Sequence, residues 1–185
     1  LLNKIVINAK RLTMDYGNLA EFQKKRALQT KMHLDLLVHL GKLDESLLRG
    51  RILDWGAGYG TNTQALNNFG GYVEAVDISE SVKEISKLGI LPEERVHQSD
   101  GMTFLRNHPN NYDVIAALMF GPVREWERKF VQEFFEVGSI GLKPEGVILM
   151  TSDISSFSHI EELAQGRTGE VIRFPTFPDI YLGKK

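Results

Sequence analysis

The sequence predicts an α/β domain built on a doubly wound, mostly parallel sheet with helices on both faces. Three observations predict it. Strand-like and helix-like patterns alternate from residue 51 onward, the order that builds parallel strands joined by right-handed crossovers. Two strand candidates, Ala116-Ala117-Leu118-Met119 and Val147-Ile148-Leu149-Met150, are apolar throughout, as strands covered on both faces should be. A glycine-rich turn, Asp54-Trp55-Gly56-Ala57-Gly58-Tyr59-Gly60, follows the apolar run Ile52-Leu53 and precedes a helical pattern. With 185 residues, 42% of them hydrophobic, the chain has one domain's length and enough apolar content for one core.

In chain order, residues 19–40 read as a long helix in which Leu28, Met32, Leu36 and Leu40 recur every four residues. Gly41 follows where a C-terminal cap belongs. This segment is expected to form an N-terminal helical lid over residues 1–50, beside a cofactor-binding core over 51–152 and a short segment over 153–185. Strands are expected near 51–55, 72–76, 94–98, 112–118 and 146–151, and helices near 61–69, 80–88, 101–107 and 124–138. In the last helix Trp126, Phe130, Phe134 and Val137 recur at helical spacing and read as core. Lys143-Pro144-Glu145-Gly146 reads as a turn feeding the fifth strand. Beyond Asp153, a helix from His159 to Gln165 and a hairpin of Glu170–Phe174 with Ile180–Leu182 would complete the chain. Pro175 and Pro178 limit that pairing.

Charge and composition narrow the function classes. The net charge of −2 provides no global basic field for nucleic acid. Lys24-Lys25-Arg26 with Lys31 reads as a solvated helix face. The chain has no cysteine, which excludes disulfides, a thiolate zinc site and a cysteine nucleophile. That composition is compatible with a reducing cytoplasm, the expected location. No run reaches the roughly 18 apolar residues of a membrane-spanning helix, and Leu1-Leu2-Asn3-Lys4 is too short and mixed for a signal peptide.

The glycine turn carries the chemistry. Side chains at positions 56, 58 and 60 would block a close ligand approach or forbid positive φ values. The spacing differs from the dinucleotide fingerprint G-x-G-x-x-G, and no Gly-Lys-Ser/Thr of a P-loop follows. Seventeen residues beyond Gly60 a strand pattern ends at Asp77, followed by Ile78 and Ser79. A carboxylate at the end of the second strand can accept two hydrogen bonds from ribose hydroxyls. Asp77 also fits a turn, with Ser79 or Ser81 capping the next helix and Ser81 and Glu84 at capping-box spacing. The third checkpoint is Arg95-Val96-His97-Gln98-Ser99-Asp100-Gly101-Met102, where Asp100 also suits the N-cap of a helix beginning near Thr103.

The acidic D-x-G-x-G-x-G form resembles motif I of the class I, Rossmann-like S-adenosylmethionine-dependent methyltransferases, and the resemblance covers about residues 50 to 152. It implies a sheet of up to seven strands, the last ones abbreviated, and S-adenosyl-L-methionine as cofactor. It places Asp54, Gly56, Ala57, Gly58 and Gly60 at the amino-acid end of that cofactor and Asp77 with Ile78 at its ribose. Asp100, Gly101 and Met102 would lie at the adenine, with Leu118 completing the cofactor side. Met119, Phe120 and Tyr16 are the substrate-facing candidates.

Methyl transfer needs mainly alignment of the nucleophile with an already activated methyl group. Leu118-Met119-Phe120-Gly121-Pro122 contains no acid, so no metal site is expected, and it lacks the Asn/Asp-Pro-Pro-aromatic signature of amino-methylating nucleic-acid enzymes. His159 is the candidate general base; Asp113 is expected to be structural. The acceptor is expected to be a small molecule or a protein, with nucleic acid less favoured. Residues Val96 to Ile115 also resemble the spermidine synthase family, which transfers aminopropyl groups. That family's carboxylates after the fourth strand are missing from Ala117-Leu118-Met119-Phe120. A non-catalytic adenosyl-binding scaffold is the other alternative, and a Rossmann dehydrogenase ranks last.

Overall fold

Strands that are apolar throughout need cover on both faces, and the fold supplies it. The structure, a computed structural model, describes residues 19–118, 128–151, 169–172 and 180–184. Strands β1 (Arg51–Trp55), β2 (Tyr72–Asp77), β3 (Val96–Gln98), β4 (Tyr112–Ala117) and β5 (Leu142–Thr151) run parallel. Strand β7 (Ile180–Lys184) pairs antiparallel with both β5 and β6 (Gly169–Ile172). Among the described residues these strands form one seven-stranded sheet in the order β3-β2-β1-β4-β5-β7-β6. The order reverses direction between β1 and β4, so their carboxyl ends flank the crevice where open α/β sheets take ligands.

Because side chains alternate along a strand, the two faces collect different cores. Ile52, Val73, Ala75, Val114, Ala116, Val147 and Leu149 point to one face and pack with Leu34, Leu37 and Leu66. Leu53, Trp55, Val76, Ile115, Ala117, Ile148 and Met150 point to the other and pack with Leu105, Phe134 and Val137. The first face is covered by α1 (Leu19–His39), α2 (Glu45–Leu48) and α3 (Thr61–Asn67). The segment expected to be a helix over 80–88 is a 3-10 turn capped by the Ser79 side chain, followed by α4 (Glu84–Lys87). On the second face lie α5 (Gly101–Arg106) and α6 (Arg128–Gly141). Phe134 of α6 stacks on Trp55 with ring centroids 4.3 Å apart. Trp126, the Phe130 side chain and the helix expected at His159–Gln165 lie outside the described residues.

Helix α1 ends as expected. Gly41 takes φ 66, and Gly41 N–H donates to Val38 O while Lys42 N–H donates to Leu37 O, the two bonds of a Schellman cap. The residues whose four-residue spacing marks the helix are not the ones it buries. Leu28, Met32, Leu36 and Leu40 are 59%, 60%, 38% and 53% exposed, while Ala27, Leu34 and Leu37 are at most 5% exposed. The reason is geometric: a strict four-residue step drifts about 40° around the helix each time. The buried set Gln23, Ala27, Thr30, Leu34 and Leu37 alternates steps of four and three and stays in one stripe. Leu37→Ala is accordingly expected to cost about 2–5 kcal/mol, and Met32→Gln to stay within about 0.5 kcal/mol. Urea denaturation checks both, and equal losses at the two sites would contradict the assignment.

Strand β5 also departs from expectation, beginning at Leu142 rather than 146. Leu142 pairs with Tyr112, and the register then shifts so that Val147 pairs with Val114. The intervening Lys143–Gly146, expected as a turn ahead of the strand, instead lies within it as a bulge in the register, with Glu145 at φ 64. Lys143 Nζ reaches Asp113 Oδ2 at 2.7 Å, and the same oxygen accepts from Arg51 N–H at 2.7 Å. Asp113 is therefore structural, as read from its place at the start of the strand.

Glu74 is 5% exposed in the middle of the sheet. Its carboxylate accepts from Arg51 Nε at 3.0 Å and the Tyr112 hydroxyl at 3.1 Å, with His97 Nε2 at 3.3 Å. Burial alone would raise its pKa, but these partners overcome burial and hold it at about 2. A depressed carboxylate pKa stabilises the fold above the unfolded value, and that contribution disappears as pH falls toward the folded one. Between about pH 4.5 and 2 this group is expected to withdraw about 3 kcal/mol of stability. An acid titration of the unfolding free energy should show that limb, and Glu74→Gln should flatten it.

Candidate functional site

The glycine loop leaves β1 at the switch point of the sheet. Gly56, Gly58 and Gly60 have φ values of 78, 53 and 85, so all three use backbone that glycine tolerates best. They do so for different reasons. A Cβ at Gly60 would lie 2.7 Å from Ile85 Cγ1, whereas one at Gly58 would meet nothing within 4 Å. Gly60 lets the loop pack, and Gly58 leaves open space above the backbone.

Four amides of the loop are already occupied. Gly56 and Ala57 N–H both donate to Val76 O, Gly60 N–H donates to Ala57 O, and Gly58 N–H donates to Asp77 Oδ2 at 2.8 Å. A phosphate-binding loop aims such groups at its ligand. This loop turns them inward, which argues against a phosphate cradle and agrees with the absent Gly-Lys-Ser/Thr.

Asp77 joins the first two checkpoints. Oδ2 braces Gly58, and Oδ1 accepts from Ser79 N–H at 2.7 Å. Each oxygen keeps further lone-pair capacity toward the half-exposed rim. Ile78 beside it is 76% exposed, an unusual position for a large apolar side chain. At the third checkpoint Asp100 is the N-cap of α5. Its Oδ2 accepts from Thr103 N–H at 2.9 Å and Thr103 Oγ1 at 2.7 Å. Burial pushes the Asp100 carboxyl up, but these bonds outweigh it and leave the pKa below its ordinary value.

Several residues expected to face a ligand lie beneath the surface instead. Met102 is 7% exposed and packs in the core of the second face, because the first turn of α5 points it inward. Gly101 is buried for a packing reason: a Cβ there would fall 2.0 Å from the Trp55 indole nitrogen. Ala57 and Leu118 are 5% and 3% exposed, so what either can offer the crevice is backbone.

Asp54 is fully buried. The strand parity that puts Ile52 in the core does the same for Asp54, two residues on. Its Oδ2 accepts from the Thr63 hydroxyl at 2.5 Å, and Oδ1 has no partner among the described residues. Burial, reinforced by the charge of Asp77 and opposed by Thr63, pushes the Asp54 pKa up to about 7.

Three residues the sequence reading missed frame the site. Gln23 Nε2 donates to Tyr59 O at 3.3 Å, Thr30 Oγ1 donates to Asn62 Oδ1 at 2.9 Å, and Asn62 Nδ2 donates to Leu118 O at 2.6 Å. The available signal was polar residues at the 3.5-residue spacing of the buried stripe of α1. An open cleft of about 580 Å³ lies beside the loop, with Gln23, Tyr59, Ser79, Ser81, Lys83 and Lys87 among its lining. Tyr16, Met119, Phe120 and His159 lie outside the described residues. Among the described residues no cluster of three or more His, Asp or Glu side chains is placed to hold a metal ion. No helix there is long and apolar enough to cross a membrane.

Comparison with solved structures identifies the fold. A SAM-dependent methyltransferase from Bacteroides fragilis, crystallised with S-adenosyl-L-homocysteine, aligns with a TM-score of 0.61 at 22% identity, over 76% of this chain and 74% of its own. A SAM-dependent methyltransferase from Archaeoglobus fulgidus aligns with a TM-score of 0.61 at 14% identity, over 91% of this chain and 100% of its own. A probable spermidine synthase from Corynebacterium glutamicum aligns with a TM-score of 0.62 at 19% identity, over 88% of this chain and 63% of its own. The chain therefore has the Rossmann-like fold of the class I S-adenosylmethionine-dependent methyltransferases, a fold it shares with that spermidine synthase. No protein-family model matches the sequence. Among curated proteins, a polyamine aminopropyltransferase of Clostridium botulinum (strain Eklund 17B / Type B) is 30% identical over 125 residues, 62% of this chain and 44% of the relative. The same figures hold for that protein from the Alaska E43 / Type E3 strain. The chain thus spans less than half the length of these curated relatives.

Proposed function

We propose that this chain binds S-adenosyl-L-methionine and transfers its methyl group to a small-molecule or protein acceptor. The observation that carries the reading is the union of Asp77 with the open backbone at Gly58, at the carboxyl end of adjacent strands. Asp77 would accept from the ribose hydroxyls, Ile78 would lie against the adenine, and Asp100 would accept from its amine through the oxygen not taken by Thr103. Asp54 would act from below, bracing α3 through Thr63. Met102 and Gly101 would shape the floor without touching the ligand. The bound sulfonium supplies an activated methyl group. The residues of the chain bind it, hold it in line and exclude water; any proton taken from the acceptor would require a base such as His159.

Aminopropyl transfer is the second reading, favoured by the curated relatives at 30% identity. Against it, Ala117-Leu118-Met119-Phe120 offers no carboxylate to a polyamine. Calorimetric titration with S-adenosylmethionine, its decarboxylated analogue and NAD separates the readings. Methyl donor chemistry is expected to appear as tighter binding of S-adenosylmethionine than of the decarboxylated form. The reverse order would favour aminopropyl transfer, and no binding of either would sink both. Mass spectrometry of co-purified ligand addresses the acceptor.

A further inference from the structure

Three buried polar side chains interrupt the apolar contact between α1 and α3. Gln23, Thr30 and Asn62 are 9%, 7% and 5% exposed, and a buried polar group is costly unless it is hydrogen-bonded. Each is bonded, and the bonds converge on the rim of the crevice. Gln23 holds the Tyr59 carbonyl of the glycine loop, and Asn62 holds the Leu118 carbonyl at the exit of β4. The direction of the second chain is determined. A carbonyl oxygen only accepts, so Asn62 must present its NH₂ to Leu118, which turns its own oxygen toward Thr30 and makes the Thr30 hydroxyl the donor. The Leu118 carbonyl thereby selects one of the two orientations of the Asn62 amide, and the Thr30 hydroxyl satisfies the oxygen that this orientation turns into the α1–α3 contact.

We propose that Asn62 is a positioning residue for the crevice and that α1 acts through it as a fixed wall. Thr30 anchors the Asn62 oxygen, Asn62 holds the exit of β4, and Gln23 secures the opposite rim. The helix is thus clamped to both sides of the switch point. The effect on ligand binding rests on the adenosyl reading above; the clamp itself does not.

Thr30→Val removes the donor at nearly constant shape, and Thr30→Ser keeps it. Hydrogen–deuterium exchange of the ligand-free protein is followed over residues 112–118, with 72–76 as the internal reference. Melting temperature and affinity for S-adenosylhomocysteine are measured in parallel. Thr30→Val is expected to raise exchange selectively at the exit of β4 and to weaken the ligand by about fivefold, and Thr30→Ser to restore both. Exchange that is unchanged over 112–118, or that rises equally at 72–76, overturns the proposal and leaves Thr30 an ordinary stabilising contact. If the wild-type protein binds no adenosyl ligand, the functional reading fails, and exchange alone decides the clamp.

Discussion

Replacing Asp77 with alanine is expected to weaken S-adenosylmethionine binding by about 100-fold or more. Two charge-assisted hydrogen bonds to a ribose are worth about 1.5–3 kcal/mol each, and each 1.4 kcal/mol is about tenfold in affinity. The same carboxylate braces Gly58 and Ser79, so alanine also frees two backbone amides at the loop. Asp77→Asn separates the effects, since the amide retains one acceptor and loses the charge. Its affinity should fall between the other two while the melting temperature stays close to wild type. Calorimetry checks the series, and a wild-type affinity in Asp77→Ala would remove Asp77 from the ligand site.

Asp54 should impose the opposite pH slope from Glu74. A carboxyl whose folded pKa is raised binds protons more tightly in the folded state, so stability falls as pH climbs from the unfolded value to the folded one. With the folded pKa near 7 and the ordinary value at 3.8, the interval corresponds to about 4 kcal/mol. Asp54→Asn mimics the protonated acid, keeps an oxygen for Thr63 and cannot ionise. The variant is expected to show a flat profile between about pH 4 and 7 where the wild type declines. Urea denaturation across that range decides it, and parallel profiles would mean that Asp54 does not titrate there.

The sheet was legible because its strands carry strong local signals. Short apolar stretches flanked by glycine or acid located β1, β2 and β4 within a residue. The glycines of the loop announced their positive φ values by identity alone. Burial was harder to read. Asp54, Gly101 and Met102 sit in a motif-rich neighbourhood, yet strand parity and the inward first turn of α5 place all three residues below the surface. The buried stripe of α1 was not legible because apolar residues occupy both of its sides, and only the partner α3 decides which is covered. The Thr30-Asn62-Leu118 chain joins residues 32 and 56 positions apart, a pairing that local pattern cannot contain.

The inward-turned amides of the glycine loop also bear on how quickly a ligand is taken up. A loop that organises its own hydrogen bonds reaches its final shape during folding. Arrival of a ligand then requires little further ordering of the backbone, and the entropy of fixing residues 56–60 does not weigh against affinity. Association should be a single fast step, with no slow phase for loop closure. Selectivity would rest on the rim residues, Asp77 and Ile78, rather than on a conformational change that discriminates between ligands.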